Sequence, residues 1–171
     1  MRLFKVVCLR PDFLSHNRAG WRIDSTKLQS FKNGNRKSLS KNGIYIYALE
    51  NNAGSTPVYV GKTNKGTFES RALDEKHLLD TFAAGLVEME LTQGRPLIFL
   101  VWAPGRRGPE PTSNIKEIEK YLTAVAWEKN AKLFNKKNKP RPRWYIAGVI
   151  GPRRGAPTRE QSDLKKTLGL L

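Results

Sequence analysis

Gly43-Ile44-Tyr45 and, a short connection later, Tyr59-Val60-Gly61-Lys62 set the architecture of this chain, because each lies in an alternating apolar run of the kind a half-buried strand needs. Alternation puts Ile44, Ile46 and Ala48 on one side and Tyr45, Tyr47 and Leu49 on the other. In the second run it gives Val58 and Val60 one face and Tyr59 the opposite one. Between the runs, Glu50-Asn51-Asn52-Ala53-Gly54-Ser55-Thr56-Pro57 is a string of turn formers, so the two strands are expected to pair as a hairpin. Tyr45 and Tyr59 then project to one side, each phenol near a glycine that leaves room for another backbone or a phosphate.

Outward from the hairpin, Arg2 to Leu9 reads as a further strand. Residues 10 to 42 are polar and basic, with Arg10, Arg18, Arg22, Lys27, Lys32, Arg36, Lys37 and Lys41 and few apolar anchors. They read as a loop-rich arm whose cations are available to phosphates. Residues 67 to 86 read as one helix, with Phe68, Ala72, Leu79, Ala83 and Leu86 in a stripe and Arg71 off it. An exposed ion pair between Arg71 and Glu75 one turn later is the plain structural reading of that arginine. Pro96 to Trp102 is a near-continuous apolar run, expected to be the central strand covered on both faces.

A helix follows at about residues 114 to 133, capped by Thr112 or Ser113. Its apolar face is Ile115, Ile118, Leu122, Val125, Ala126 and Leu133, with Glu117 and Glu128 pointing away. Glu119 falls at the edge of the apolar face, where a carboxylate needs a cation, a metal or several donors. Residues 129 to 143 are strongly basic and broken by Pro140 and Pro142, an exposed phosphate-contacting loop. Trp144 to Ile150 reads as a strand and Thr158 to Leu168 as a terminal helix, with Leu164, Leu168 and Leu171 free to dock it or to serve a dimer contact.

The two opening strings, with Val60 in place of the middle isoleucine, resemble the signature of the GIY-YIG nuclease family, and the order of elements from about residue 42 to 138 is similar to that family's. The resemblance implies an α/β (α+β) fold with a small central antiparallel β-sheet flanked by helices. It divides the chain into a basic N-terminal strand and arm (1–41), a nuclease-like core (42–138) and a C-terminal strand–helix extension packed on it (139–171). It also implies a metal-dependent endonuclease, of restriction or phage-related type, that hydrolyses phosphodiesters with Mg²⁺ (or Mn²⁺). The family's arginine matches Arg71, its metal-binding glutamate Glu119 and its asparagine Asn135. The chain departs from the pattern in a longer connection between the strings and in Glu75, where the family often has His or Tyr.

In-line hydrolysis needs an activated water, charge neutralisation at phosphorus and help for the leaving oxygen. Glu119 would hold the metal through one carboxylate, and Arg71 would brace the phosphate with its fork of donors. Tyr45, as the resemblance implies, would orient or deprotonate the water. With a pKa near 10, its phenol needs a nearby cation to act as base, and Lys62 is expected to supply it. Tyr59 would bond phosphate or water. Asn135 would tie down the chain after the Glu119 helix, and His77, which lies around the helix from Arg71, is the weakest candidate.

Charge points to the partner. Thirty-one Lys and Arg against fifteen Asp and Glu give a net charge of +16, which draws in polyanions, nucleic acid first, and the resemblance implies duplex DNA. Lys41, Lys65, Arg106, Arg107, Lys132, Lys136, Lys137, Lys139, Arg141 and Arg143 are the expected phosphate contacts. The competing readings are a non-catalytic basic nucleic-acid-binding protein and a nuclease acting on RNA or branched DNA. One site per chain cuts one strand, so a double-strand cut would require a homodimer or two binding events. A single Cys8 fits a reducing, cytoplasmic setting, and with His16 and His77 it cannot build a zinc finger. No run approaches the roughly 18 apolar residues of a membrane span, and the short apolar start does not read as a signal peptide.

Overall fold

The computed structural model describes residues 3–18, 20–64, 66–104, 110–130, 132–135, 145–146, 148–150 and 156–170. Its centre is a five-stranded sheet in the order β5-β4-β6-β1-β7. Strands β4 (Ile44–Asn51) and β5 (Gly54–Lys62) form the expected hairpin, and β4 also pairs antiparallel with β6 (Arg95–Trp102). β1 (Leu3–Leu9) continues the antiparallel set on the other side of β6. The short β7 (Tyr145–Ile146) then joins β1 in parallel, so the sheet is mixed at that edge. Of the described residues within the strand expected over Trp144–Ile150, Tyr145 and Ile146 form it, and Gly148 takes a φ of +70° in a turn.

β6 is the middle strand, and both its faces are covered. Leu97, Phe99 and Val101 pack with Ile44, Ile46, Ala48 and Val60 beneath α6 (Thr112–Lys129) and α7 (Arg159–Thr167). Ile98 and Leu100 pack with Tyr45, Tyr47 and Leu49 on the other face. The six apolar residues expected along α6 all enter the first cluster, as do Leu164 and Leu168. Neither Thr112 nor Ser113 caps α6; Pro111 stands at the cap position, and the helix ends at Asn130. Thr158 caps α7 and exchanges hydrogen bonds with Gln161 in a capping box.

The second face is built differently from the expectation. Residues 10–42 are not a loosely packed loop. They form a hairpin of β2 (Leu14–Asn17) and β3 (Gly20–Ile23), then α1 (Ser25–Gly34) and α2 (Arg36–Leu39). Phe13, Leu14, Trp21, Leu28 and Leu39 are buried, and the Trp21 indole donates to the Leu91 carbonyl at 2.8 Å. Five large side chains anchor about thirty residues here, too sparse a pattern for periodicity to reveal. Nor do residues 67–86 make one helix. They split into α3 (Phe68–Ala72), α4 (Glu75–His77), a π-helical segment Leu78–Ala83 and α5 (Ala84–Glu88). The break falls where Asp74, in an extended conformation, caps α4 by accepting from the His77 amide.

A bulge interrupts the central hairpin. Tyr47 pairs with Tyr59 but Ala48 with Pro57, so Val58 is the extra residue on β5. The bulge turns Val58 onto the tyrosine face, while Val60 stays on the α6 face, so the two valines do not share a face.

Candidate active site at the β5 edge

Tyr45 lies opposite Gly61 across the hairpin, and its ring fills the space above that glycine. A β-carbon on Gly61 would stand 2.2 Å from the Tyr45 ring carbon that bears the hydroxyl. The room beside the glycine is therefore taken by the phenol itself, not left for a phosphate. Tyr45, Tyr47, Tyr59 and His77 form one aromatic group, with ring centroids 5.2 to 6.2 Å apart. Tyr47 closes its inner side, stacked on Phe82 with its hydroxyl donating to the Ala72 carbonyl at 2.7 Å. Tyr45 is only 1% exposed, whereas Tyr59 is half-buried and meets solvent.

The structure brings His77 into this group as a direct partner of Tyr45. Its Nε2 lies 2.6 Å from the Tyr45 hydroxyl, and its Nδ1 lies 3.2 Å from the hydroxyl of Thr81. On one continuous helix His77 would lie around the axis from Arg71. The break at Leu73–Asp74 removes that constraint and re-aims the second helix. Arg71, on α3, keeps an exposed side chain whose charge acts on all three phenols and on His77. Glu75 takes no part in an Arg71 pair, since its carboxylate accepts from the Ser25 hydroxyl at 2.8 Å and so ties the start of α1 to α4.

Electrostatics follow from burial. Desolvation pushes the Tyr45, Tyr47 and Tyr59 phenols above the usual tyrosine range. Neighbouring phenols add to this at Tyr45 and Tyr47, and the Glu119 carboxylate adds to it at Tyr59, while Arg71 opposes it at all three. His77 is held below its ordinary value by burial first and by Arg71 second, so the ring is neutral at pH 7. The cation beside Tyr45 is thus Arg71 and not Lys62, and its pull does not outweigh burial. The reason is alternation: Gly61 faces Tyr45, so Lys62 points to the opposite side of β5.

There Lys62 meets Glu119 of α6 in an ion pair, the side chains 27% and 20% exposed. Asn135 holds both backbone groups of Val60, its Nδ2 donating to the carbonyl and its Oδ1 accepting from the amide, each at 2.7 Å. The Phe134 amide donates to the Val58 carbonyl at 3.0 Å, and the Asn130 side chain to the Pro57 carbonyl at 2.8 Å. The segment after α6 thereby covers the otherwise open edge of β5. The site straddles that edge strand, with phenols, imidazole and guanidinium on one side and the Lys62–Glu119 pair on the other.

Among the described residues no group of three or more His, Cys, Asp or Glu could hold a metal ion. Glu119 offers one hard carboxylate, which suits a hydrated Mg²⁺ or Mn²⁺ that takes its remaining ligands from water and phosphate. The Lys62 ammonium already sits on that carboxylate, and an ion would displace it. The pair is largely buried, so the ion would have to take over the neutralisation of Glu119 that Lys62 now provides.

Of the expected phosphate contacts, Lys41 and Lys132 are exposed, and Lys132 lies 3.7 Å from the Glu90 carboxylate. Lys65, Arg106, Arg107, Lys136, Lys137, Lys139, Arg141 and Arg143 lie outside the described residues. Cys8 takes no part; burial pushes its thiol up to about 12, so it stays protonated and unreactive. No helix of the described residues is long and apolar enough to cross a membrane. Comparison with protein-family models, with curated proteins and with solved structures returns no match, so what the site does is argued from its own groups.

Proposed function

We propose that the chain is a metal-dependent endonuclease that hydrolyses phosphodiesters of duplex DNA, in line with its resemblance to the GIY-YIG family. The observation that carries this reading is the hydrogen bond between the Tyr45 hydroxyl and His77 Nε2 at 2.6 Å, under the Arg71 guanidinium. A phenol held against a neutral imidazole has a basic acceptor for its proton, where the core tyrosine Tyr47 has only a backbone carbonyl.

In this reading Arg71, whose side chain is exposed, binds the scissile phosphate through two of its donors. Tyr45 then accepts a proton from the attacking water and passes its own to His77 Nε2. Desolvation keeps Tyr45 protonated at rest, so the base acts through this relay rather than as a standing phenolate. Tyr59, at the solvent side, orients water or a phosphate oxygen. Glu119 would hold Mg²⁺ or Mn²⁺, which when bound neutralises charge on the phosphate and acidifies coordinated water. Lys62, freed from Glu119, becomes a further phosphate contact.

A second reading, a non-catalytic binder of nucleic acid, is favoured by two features: Tyr45 is nearly inaccessible, and Lys62 occupies the Glu119 carboxylate. A supercoiled-plasmid assay separates the two. Nicked or linear product that requires Mg²⁺ and disappears in Glu119→Ala and Tyr45→Phe, with DNA affinity nearly unchanged, is the expected result. Tight retardation of the plasmid without cleavage by any of the three proteins would assign the chain to the binder class.

A further inference from the structure

We infer that Thr81 is a positioning residue: by accepting from His77 Nδ1–H it fixes the imidazole tautomer whose bare Nε2 faces the Tyr45 hydroxyl. Both hydroxyls around the ring can donate or accept, so chemistry alone leaves two arrangements open. The buried Tyr45 phenol separates them. The Tyr45 hydroxyl, almost fully buried, has His77 Nε2 at 2.6 Å, and a bare Nε2 gives its proton an acceptor there. The Thr81 hydroxyl, 3.2 Å from Nδ1, is then placed to accept the ring N–H.

The surroundings of the Tyr45 oxygen agree. Arg71, whose charge acts on the Tyr45 phenol, has donors only, so it cannot accept the phenol proton, which leaves Nε2 to do so. A free histidine side chain in water prefers the other neutral tautomer, with the proton on Nε2. That tautomer would present an N–H to Tyr45 and leave the phenol no acceptor on the ring. Holding the minority form needs a dedicated acceptor at Nδ1, and Thr81 is that acceptor, largely buried one turn along the chain. It lies within the π-helical segment Leu78–Ala83, a rare local winding that recurs at functional sites. Neither the family resemblance nor the apolar stripe singles out this residue.

The tautomer rests on these contacts, while its value to catalysis rests on the nuclease reading. The two are tested apart. The chain has only two histidines, His16 and His77, so long-range ¹H–¹⁵N correlation spectra of labelled protein resolve both rings, and His16→Gln assigns them. In the wild type at neutral pH, His77 is expected to carry its proton on Nδ1. Thr81→Val, which keeps the shape and loses the oxygen, should move the population toward Nε2–H, and Thr81→Ser should restore the wild-type pattern. In the plasmid assay Thr81→Val should lower kcat by about tenfold, below the roughly 10²–10⁴ of a complete acid–base group, with KM little changed and Ser restoring the rate. Nε2–H as the main wild-type tautomer would overturn the inference, even if Thr81→Val failed to fold. So would a Thr81→Val protein with the wild-type spectrum, or with the wild-type rate. Failure of the wild type to cleave DNA would instead remove the nuclease reading and leave the tautomer assignment to the spectra.

Discussion

Two single residues decide whether the phenol relay can exist, and each gives a direct test. Gly61 has no side chain because the Tyr45 ring occupies that space, at distances of 2.2 to 2.6 Å from where a β-carbon would stand. Gly61→Ala must therefore push the ring away or tilt the hairpin, at a cost of about 1–3 kcal/mol for overpacking. A lower unfolding midpoint together with loss of cleavage is expected, and denaturant titration beside the plasmid assay measures both. His77 offers the other test. Its folded pKa is lowered, by burial first and then by Arg71, so the unfolded chain takes up a proton near 6.5 while the folded ring stays neutral. Its contribution to stability is then present above about pH 6.5 and is lost as pH falls through the folded value. The imidazole resonances should titrate with a midpoint below 6.5 in the wild type. Arg71→Gln should raise that midpoint; an unchanged value would mean that the guanidinium does not act on the ring. Legibility at this scale was uneven. Tyr45, Tyr59, Arg71 and Glu119 stand out through residue type, motif and helical phase. The partners of Tyr45 and Lys62 could not be read so simply: His77 reaches Tyr45 only because a helix breaks, and Lys62 faces Glu119 because one step of alternation separates it from Gly61.

At the scale of elements, that helix break controls the site. The apolar stripe through residues 67–86 is continuous, so periodicity reads a single helix, although Asp74 three residues before His77 is an ordinary cap signature. The structure follows the cap. Asp74 accepts from the His77 amide at 2.8 Å, and Thr67 and Ser70 form a separate capping box for α3. Asp74→Ala should cost about 1 kcal/mol as the loss of an N-cap. Because the cap fixes the very residue that bonds Tyr45, cleavage should fall further than that loss of stability explains. Thermal unfolding and initial rates on one preparation check this. If activity merely tracks the folded fraction, the break has no role beyond stability. Strands were legible where composition and pattern agree, as in the hairpin and β6, and so was the apolar face of α6. The bulge at Val58 was not, since Pro57 gives no amide to the ladder and shifts the register without changing the apolar pattern.

Across the whole molecule, one sheet with both faces covered joins residues from Phe4 to Leu168, so the arm and the C-terminal extension are built into the same body as the central hairpin. Parallel addition of β7 to β1 was beyond sequence reading, because two residues carry no periodicity. Charge, by contrast, is a property of composition and survives any error in elements. A net charge of +16 on 171 residues greatly exceeds what solubility requires. Several arm cations, among them Arg22, Lys27, Lys37 and Lys41, are exposed, and Ser25 ties this arm to the helix that carries His77. In the nuclease reading a duplex drawn to these side chains also reaches the phenol group, so affinity and cleavage should depend on salt together. If about six to ten phosphates are bound, affinity for duplex DNA should fall by about 10³–10⁵ between roughly 50 and 200 mM salt. Replacing Lys27, Lys37 and Lys41 with glutamine should reduce the slope of log affinity against log salt by nearly one unit for each phosphate no longer neutralised, while His77 keeps its bond to Tyr45. Fluorescence anisotropy over a salt series measures the slope. A slope unchanged in the triple variant would exclude the arm from the DNA interface and leave binding to the cations after α6.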